Sequence, residues 1–143
     1  MTVQKIISRK GSDVTTIDPT ATLSDAVRVL AQRRIGAVVI TGADREVAGI
    51  LSERDIVRAL AERGPGALDE PVGRVMTRKV VTCHASETIS HLMERMTAGK
   101  FRHLPVVQEG RLAGIVSIGD VVKSRLEEME HESNALREYI LTA

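Results

Sequence analysis

Two stretches of this 143-residue chain carry a serine and an aspartate three residues apart, just after a short apolar run: Gly49-Ile50-Leu51-Ser52-Glu53-Arg54-Asp55 and Gly114-Ile115-Val116-Ser117-Ile118-Gly119-Asp120. At the start of a helix that pair can do two things. It can close a capping box, with Ser52 or Ser117 accepting from a helix amide while Asp55 or Asp120 reaches back to the serine N–H. It can also serve a ligand: the free amides and positive dipole end suit an anion, the hydroxyl can donate to phosphate, and the carboxylate can accept from both hydroxyls of a vicinal diol. For either copy taken alone the two readings weigh equally. The leading glycine, Gly49 or Gly114, lets a ligand or a neighbouring backbone come close.

The elements that position these residues are themselves duplicated. Thr22-Leu23 and Thr88-Ile89 lie 66 positions apart, residues 14–17 match 80–83, and residues 3–10 resemble 72–79. Each copy predicts a short strand (14–17, 80–83), then a helix capped by Thr22 or Thr88. The apolar positions Leu23, Ala26, Val27, Leu30 and Ile89, Leu92, Met93, Met96 line one helical face. Buried strands follow at 37–40 and 104–107, return strands at 47–51 and 112–116, and a second helix begins at each Ser-x-x-Asp. Glu109-Gly110 is a short hairpin signal. Gly64-Pro65-Gly66 ends the first copy. The expected fold is therefore α+β or α/β, two tandem β-α-β-β-α motifs packed sheet to sheet with pseudo-twofold symmetry, plus a C-terminal helical tail. The units are 1–63 with the N-terminal segment, a linker at 64–71, 72–127, and the tail at 128–143. Clefts then arise in pairs.

These matched segments, together with Lys100-Phe101-Arg102-His103-Leu104-Pro105-Val106-Val107, resemble a stand-alone pair of cystathionine-β-synthase (CBS) domains, a Bateman module, over residues 3 to 127. The resemblance implies a sensor of adenosyl compounds such as AMP, ADP, ATP, NAD(H) or S-adenosylmethionine. It implies a ribose contact for Asp55 and Asp120 and a place near phosphate for Ser52 and Ser117. Arg102 and His103 stand where the family often places phosphate-binding side chains. Their first-copy counterparts, Gly36 and Ala37, cannot do that work, so the two clefts are inequivalent. Arg54, where the second copy has Gly119, is either a solvated helix charge or a phosphate contact in the opposite cleft. Thr16 and Thr82 either line the clefts, as the family's first strand does, or pack at the core edge. Lys10 and Lys79 precede that strand and are read as solvated lysines, with Lys79 kept as a candidate phosphate contact.

Composition narrows the function classes. Tyr139 and Phe101 are the only aromatics, which argues against a base-stacking nucleic-acid binder, and a net charge of +1 draws in neither DNA nor anionic lipid. The only cysteine, Cys83, excludes an internal disulfide. Cys83, His84 and His91 match no zinc spacing, so no metal site is assigned. No signal peptide or spanning segment is visible, and a cytoplasmic protein is expected. With no nucleophile beside a base, no metal triad and no Walker-type loop, the chain is not read as an enzyme. Val122, Leu126, Met129, Ser133, Leu136 and Ile140 repeat by four and three, either as a homodimer seam or as a helix packed on its own domain. Two functions remain: a regulatory module that binds an adenosine nucleotide, AMP first, and signals to a partner protein; or a structural dimerisation scaffold with empty clefts.

Overall fold

The computed structural model describes residues 1–11 and 14–142. In chain order the elements are α1 (Val3–Lys10), β1 (Thr16–Ile17), α2 (Leu23–Arg33), β2 (Ala37–Thr41), β3 (Val47–Ser52), α3 (Glu53–Arg63), α4 (Val72–Val75), α5 (Ile89–Gly99), β4 (His103–Gln108), β5 (Arg111–Ser117) and α6 (Ile118–Thr142). Short 3-10 turns at Ala43–Arg45 and Gly64–Asp69 connect β2 to β3 and α3 to α4.

The predicted caps form. Thr22 Oγ1 accepts from the Asp25 amide at 3.1 Å and Asp25 answers with a bond from the Thr22 amide, while Thr88 Oγ1 accepts from the His91 amide at 3.1 Å. Both helices end on a left-handed residue, Arg34 and Lys100. The Glu109-Gly110 turn has positive φ at both residues, 52° and 76°, the backbone of a tight two-residue hairpin, and joins Gln108 to its register partner Arg111.

β2 pairs antiparallel with β3 and β4 with β5, giving a three-stranded sheet in the order β1-β2-β3 and a two-stranded sheet β4-β5. The leading strands are shorter than predicted. Residues Thr16–Ile17 pair in parallel with β2, and in the second copy the pairing shrinks to a single bridge between Cys83 and Val106. The pairing is lost at the leading end of each, residues 14–15 and 80–82, and just past the paired residues the carbonyls of Pro19 and Ala85 accept from the amides of Gly73 and Gln4.

Those amides belong to the other copy. α1, at the head of the first repeat, packs on β5 and α6 of the second; α4, at the head of the second, packs on β3, α2 and α3 of the first. The hydrogen bonds are matched pair by pair. Val3 N bonds to Glu87 O at 2.9 Å as Val72 N does to Ala21 O at 2.8 Å, and Ile89 N to Met1 O at 3.1 Å as Leu23 N does to Glu70 O at 2.9 Å. Two aliphatic cores result. Val72 and Met76 join Leu23, Leu30, Val38, Ile40, Leu51 and Ile56, and Val3, Ile6 and Ile7 join Ile89, Leu92, Met96, Leu104, Val116 and Val121. A fully buried aliphatic side chain contributes about 1.5–3 kcal/mol, so three such residues anchor α1 firmly to the second copy. The halves also meet where Arg45 Nε donates to Leu112 O at 3.3 Å, beside the sheets.

Of the predicted helix faces, Val27 turns outward at 37% exposure. α6 runs without a break through the tail. Leu126, Met129, Leu136 and Ile140 are 52–64% exposed, so the tail does not pack on its own domain.

Candidate functional site

The second-copy aspartate is paired with a lysine. Asp120 Oδ2 accepts from the Ser117 amide at 2.9 Å, and the Asp120 amide donates to Ser117 Oγ at 3.1 Å, so the capping box is complete. The same Oδ2 accepts from Lys10 Nζ at 2.8 Å, and Lys10 also donates to the carbonyl of Ile115 at 3.1 Å. Lys10 is the last residue of α1, and the exchange of that helix between copies is what delivers it here. Burial alone would raise the Asp120 carboxyl, but the Lys10 ammonium and the Ser117 amide and hydroxyl outweigh it and hold the group below its usual value.

His103 lies directly across the β4-β5 ladder from Ser117. Burial depresses its imidazole, the charges of Lys10 and Arg102 depress it further, and Asp120 and Glu53 pull the other way. Arg102 is exposed, and its carbonyl holds the first amide of α6, Ile118 N, at 2.8 Å. The first and third amides of α6 are thus already bonded within the protein, leaving at most the second of the three for a ligand.

The first copy repeats the frame and changes the charges. Asp55 Oδ2 accepts from the Ser52 amide at 2.9 Å, and Glu53 N bonds to Gly36 O at 3.0 Å as Ile118 N does to Arg102 O. Here the exchanged segment contributes Thr77, whose Oγ1 donates to Asp55 Oδ1 at 3.4 Å, with Arg58 3.9 Å from the same oxygen. The counterpart of Arg102 is Gly36, and a Cβ built on it would lie 3.8 Å from the Glu53 carboxylate carbon. The second copy therefore pairs its aspartate with the ammonium of Lys10, whereas the first meets its aspartate with the Thr77 hydroxyl and lays the Glu53 carboxylate over Gly36, the counterpart of Arg102.

Asp120 and Ser117 share one capping box with His103 across the ladder from Ser117 and the exposed Arg102 next to it in sequence, and Asp55 and Ser52 share the other box. Arg54 is exposed on the first turn of α3, Lys79 is exposed beyond α4, and Thr16 is exposed on β1. The Thr82 carbonyl is held by Arg95 at 2.8 Å. Lys10, Thr77 and Glu53 carry weight that the sequence did not assign them. The glycines of the two motifs admit protein: a Cβ on Gly114 would lie 2.5 Å from Ile7 Cδ1, and one on Gly49 2.9 Å from the Thr77 carbonyl. Cys83 is buried, and burial pushes its thiol up to about 12, which leaves no thiolate for chemistry. A groove of about 700 Å³ lies at the hairpin end of β4 and β5, lined by His84, Gln108 and Arg111, away from Asp120. It is open and is lined by none of the Asp120, Ser117, Asp55 or Ser52 side chains.

The family model described as the CBS domain matches residues 3–62 and again 72–127. The chain belongs to the CBS domain family and carries two such domains in tandem. It is 35% identical over 123 residues to the mitochondrial CBS domain-containing protein CBSX3 of Arabidopsis thaliana, covering 83% of this chain and 60% of the relative, so it spans about three fifths of that protein's length. Among solved structures it resembles the CBS-domain containing protein ATU1752 from Agrobacterium tumefaciens, with a TM-score of 0.83, 49% identity, and 87% of this chain and 99% of that one covered. It also resembles the CBS domain pair of protein MJ0100, solved in complex with 5-methylthioadenosine and S-adenosyl-L-methionine (TM-score 0.77, 26% identity, 91% and 98% covered). No helix among the described residues is long and apolar enough to cross a membrane.

Proposed function

We propose that this CBS pair is a non-catalytic regulatory module that binds an adenosine nucleotide in the cleft of Asp120, with AMP as the first candidate and ADP, ATP or NAD(H) as others. The observation that carries this reading is the charge asymmetry. The carboxylate of Asp120 pairs with the ammonium of Lys10 beside His103, whose imidazole also feels the charge of Arg102, whereas Asp55 meets the neutral hydroxyl of Thr77 and Glu53 lies over Gly36, the counterpart of Arg102. A scaffold has no use for that difference, and the adenosyl ligands of the MJ0100 pair support the ligand class. Asp120 accepts from the ribose, Ser117 lies near the phosphate, and Arg102 and His103 meet its charge. Asp55 and Ser52 offer the weaker, phosphate-poor cleft. Occupancy shifts the relation between the units 1–63 and 72–127, joined through 64–71, and a partner protein in the cytoplasm reads that shift. The exposed stripe of the tail, 128–143, joins two copies into a homodimer.

The scaffold reading keeps one observation in its favour, namely that both capping boxes are complete without a ligand. Calorimetric titration of AMP, with GMP alongside, separates the two. Saturable heat for AMP with weaker or no heat for GMP supports the nucleotide module. No heat from AMP, ADP, ATP or NADH at millimolar concentration leaves the scaffold.

A further inference from the structure

Lys10 occupies the oxygen that the proposed ribose contact needs. Asp120 Oδ2 already accepts from the Ser117 amide, which the capping box requires, and the ammonium takes the remaining capacity at 2.8 Å while its second bond to Ile115 O ties it across the end of β5. A vicinal diol donates two hydrogen bonds and is best received by both oxygens of a carboxylate. A diol received by both oxygens must therefore displace Lys10 from Oδ2, and the lysine then loses its charge partner. A nucleotide brings a replacement partner, because its phosphate can accept the same ammonium with a charge-assisted bond. Lys10 is 39% exposed on a flexible four-carbon stem, and its charge acts on the His103 imidazole, as does that of Arg102.

Resting on the reading of this cleft as an adenosine site, we propose that Lys10 selects nucleotide over nucleoside by exchange, pairing with Asp120 when the cleft is empty and with the ligand's phosphate when it is filled. The ion pair between the two segments is then a latch that phosphate opens and ribose alone opens poorly. Because Lys10 ends α1, the exchange also changes what holds that helix to the second copy. In the first copy the exchanged segment presents the neutral hydroxyl of Thr77 instead, and the cation near Asp55, Arg58, comes from the aspartate's own helix.

The test is a crossed comparison at low ionic strength, where a partly exposed ion pair has its full effect. Adenosine and AMP are titrated into the wild-type protein and into Lys10→Met, with Lys10→Arg as a second variant that keeps the charge. Removing the latch should tighten adenosine roughly two- to fivefold, the worth of a partly exposed pair, while AMP weakens about tenfold through loss of a charge-assisted bond. Lys10→Arg should keep most of the wild-type preference for AMP. Adenosine unchanged or weakened in Lys10→Met overturns the exchange, and so does AMP binding that survives unaltered. If wild type binds neither probe, the site reading itself has failed and the exchange falls with it.

Discussion

Gly114 and Gly49 face the exchanged segments, and an added methyl group at each probes that exchange directly. A Cβ on Gly114 meets Ile7 Cδ1 at 2.5 Å, with the next Ile7 carbons at 3.5 and 3.6 Å, which is ordinary contact. The clash is with the tip of one side chain. Overpacking of this kind costs about 1–3 kcal/mol, and the smaller entropy of an unfolded alanine offsets about 0.4–1 kcal/mol, so Gly114→Ala should destabilise by about 1 kcal/mol. Ile7→Val removes Cδ1 and by itself costs about 0.5–1.5 kcal/mol. In the double variant the two changes fit each other, and the cycle should show about 1 kcal/mol of favourable coupling. Gly49→Ala differs because one of its close neighbours is backbone, the Thr77 carbonyl at 2.9 Å, which accepts from Ile50 N at 3.0 Å in a reciprocal pair. Relief there means breaking bonds worth about 1 kcal/mol each, so its cost should be about 2–3 kcal/mol and Met76→Ala should not rescue it. Urea unfolding of the four single variants and the two doubles gives these energies, with about 3–5 °C of Tm per kcal/mol in a parallel melt. Additivity of Gly114→Ala and Ile7→Val within about 0.5 kcal/mol would refute the docking of α1 on β5.

Three further outcomes follow from the same geometry. His103 is held below its ordinary 6.5, so an unfolded chain takes up that proton first as pH falls; the stability this depression leaves intact at pH 7 and above should drain away from about pH 6.5 down toward the folded value, and His103→Gln should flatten that slope in melts. A bound phosphate favours the charged imidazole, so AMP binding should take up more protons in wild type than in His103→Gln, read as the difference in buffer-dependent heats. Deleting residues 129–143, whose apolar side chains stand exposed, should lower the dimer mass in light scattering and leave protomer unfolding nearly unchanged; an intact dimer would place the seam elsewhere.

Much of the frame was legible because duplication made local signals count twice. The Thr22 and Thr88 caps, the Ser-x-x-Asp boxes and the hairpin at Glu109-Gly110 are set by residues within three or four positions of each other, and those formed as read. The replacement of Arg102 and His103 by Gly36 and Ala37 marked the clefts as unequal before their geometry was known, and the β2-β3 and β4-β5 registers place these residues at equivalent points. What the sequence hid is non-local. Residues 3–10 and 72–79 read alike, but nothing in their periodicity says on which copy each docks, so Lys10 looked like a solvated charge. Only Gly49 and Gly114 carried a trace of that exchange, as places where backbone can come close. Glu53 escaped because its weight comes from lying over Gly36, a contact between a helix start and a strand start. The tail's stripe was readable as apolar spacing, whereas its exposure depends on α6 running straight past the end of the second copy.

The central claim is tested most directly at the carboxylate that serves both as cap and as proposed ribose acceptor. AMP is titrated into wild type, Asp120→Asn and Asp55→Asn by calorimetry, with melting curves on the same samples. Asparagine keeps an oxygen for the Ser117 amide, so Asp120→Asn should lose no more than about 1 kcal/mol of stability from its weakened cap. A diol that loses a charged acceptor loses about 1.5–3 kcal/mol, so AMP affinity should fall roughly 10- to 150-fold in Asp120→Asn and less in Asp55→Asn. Wild-type affinity for AMP in both variants would make the two aspartates caps alone and contradict the account.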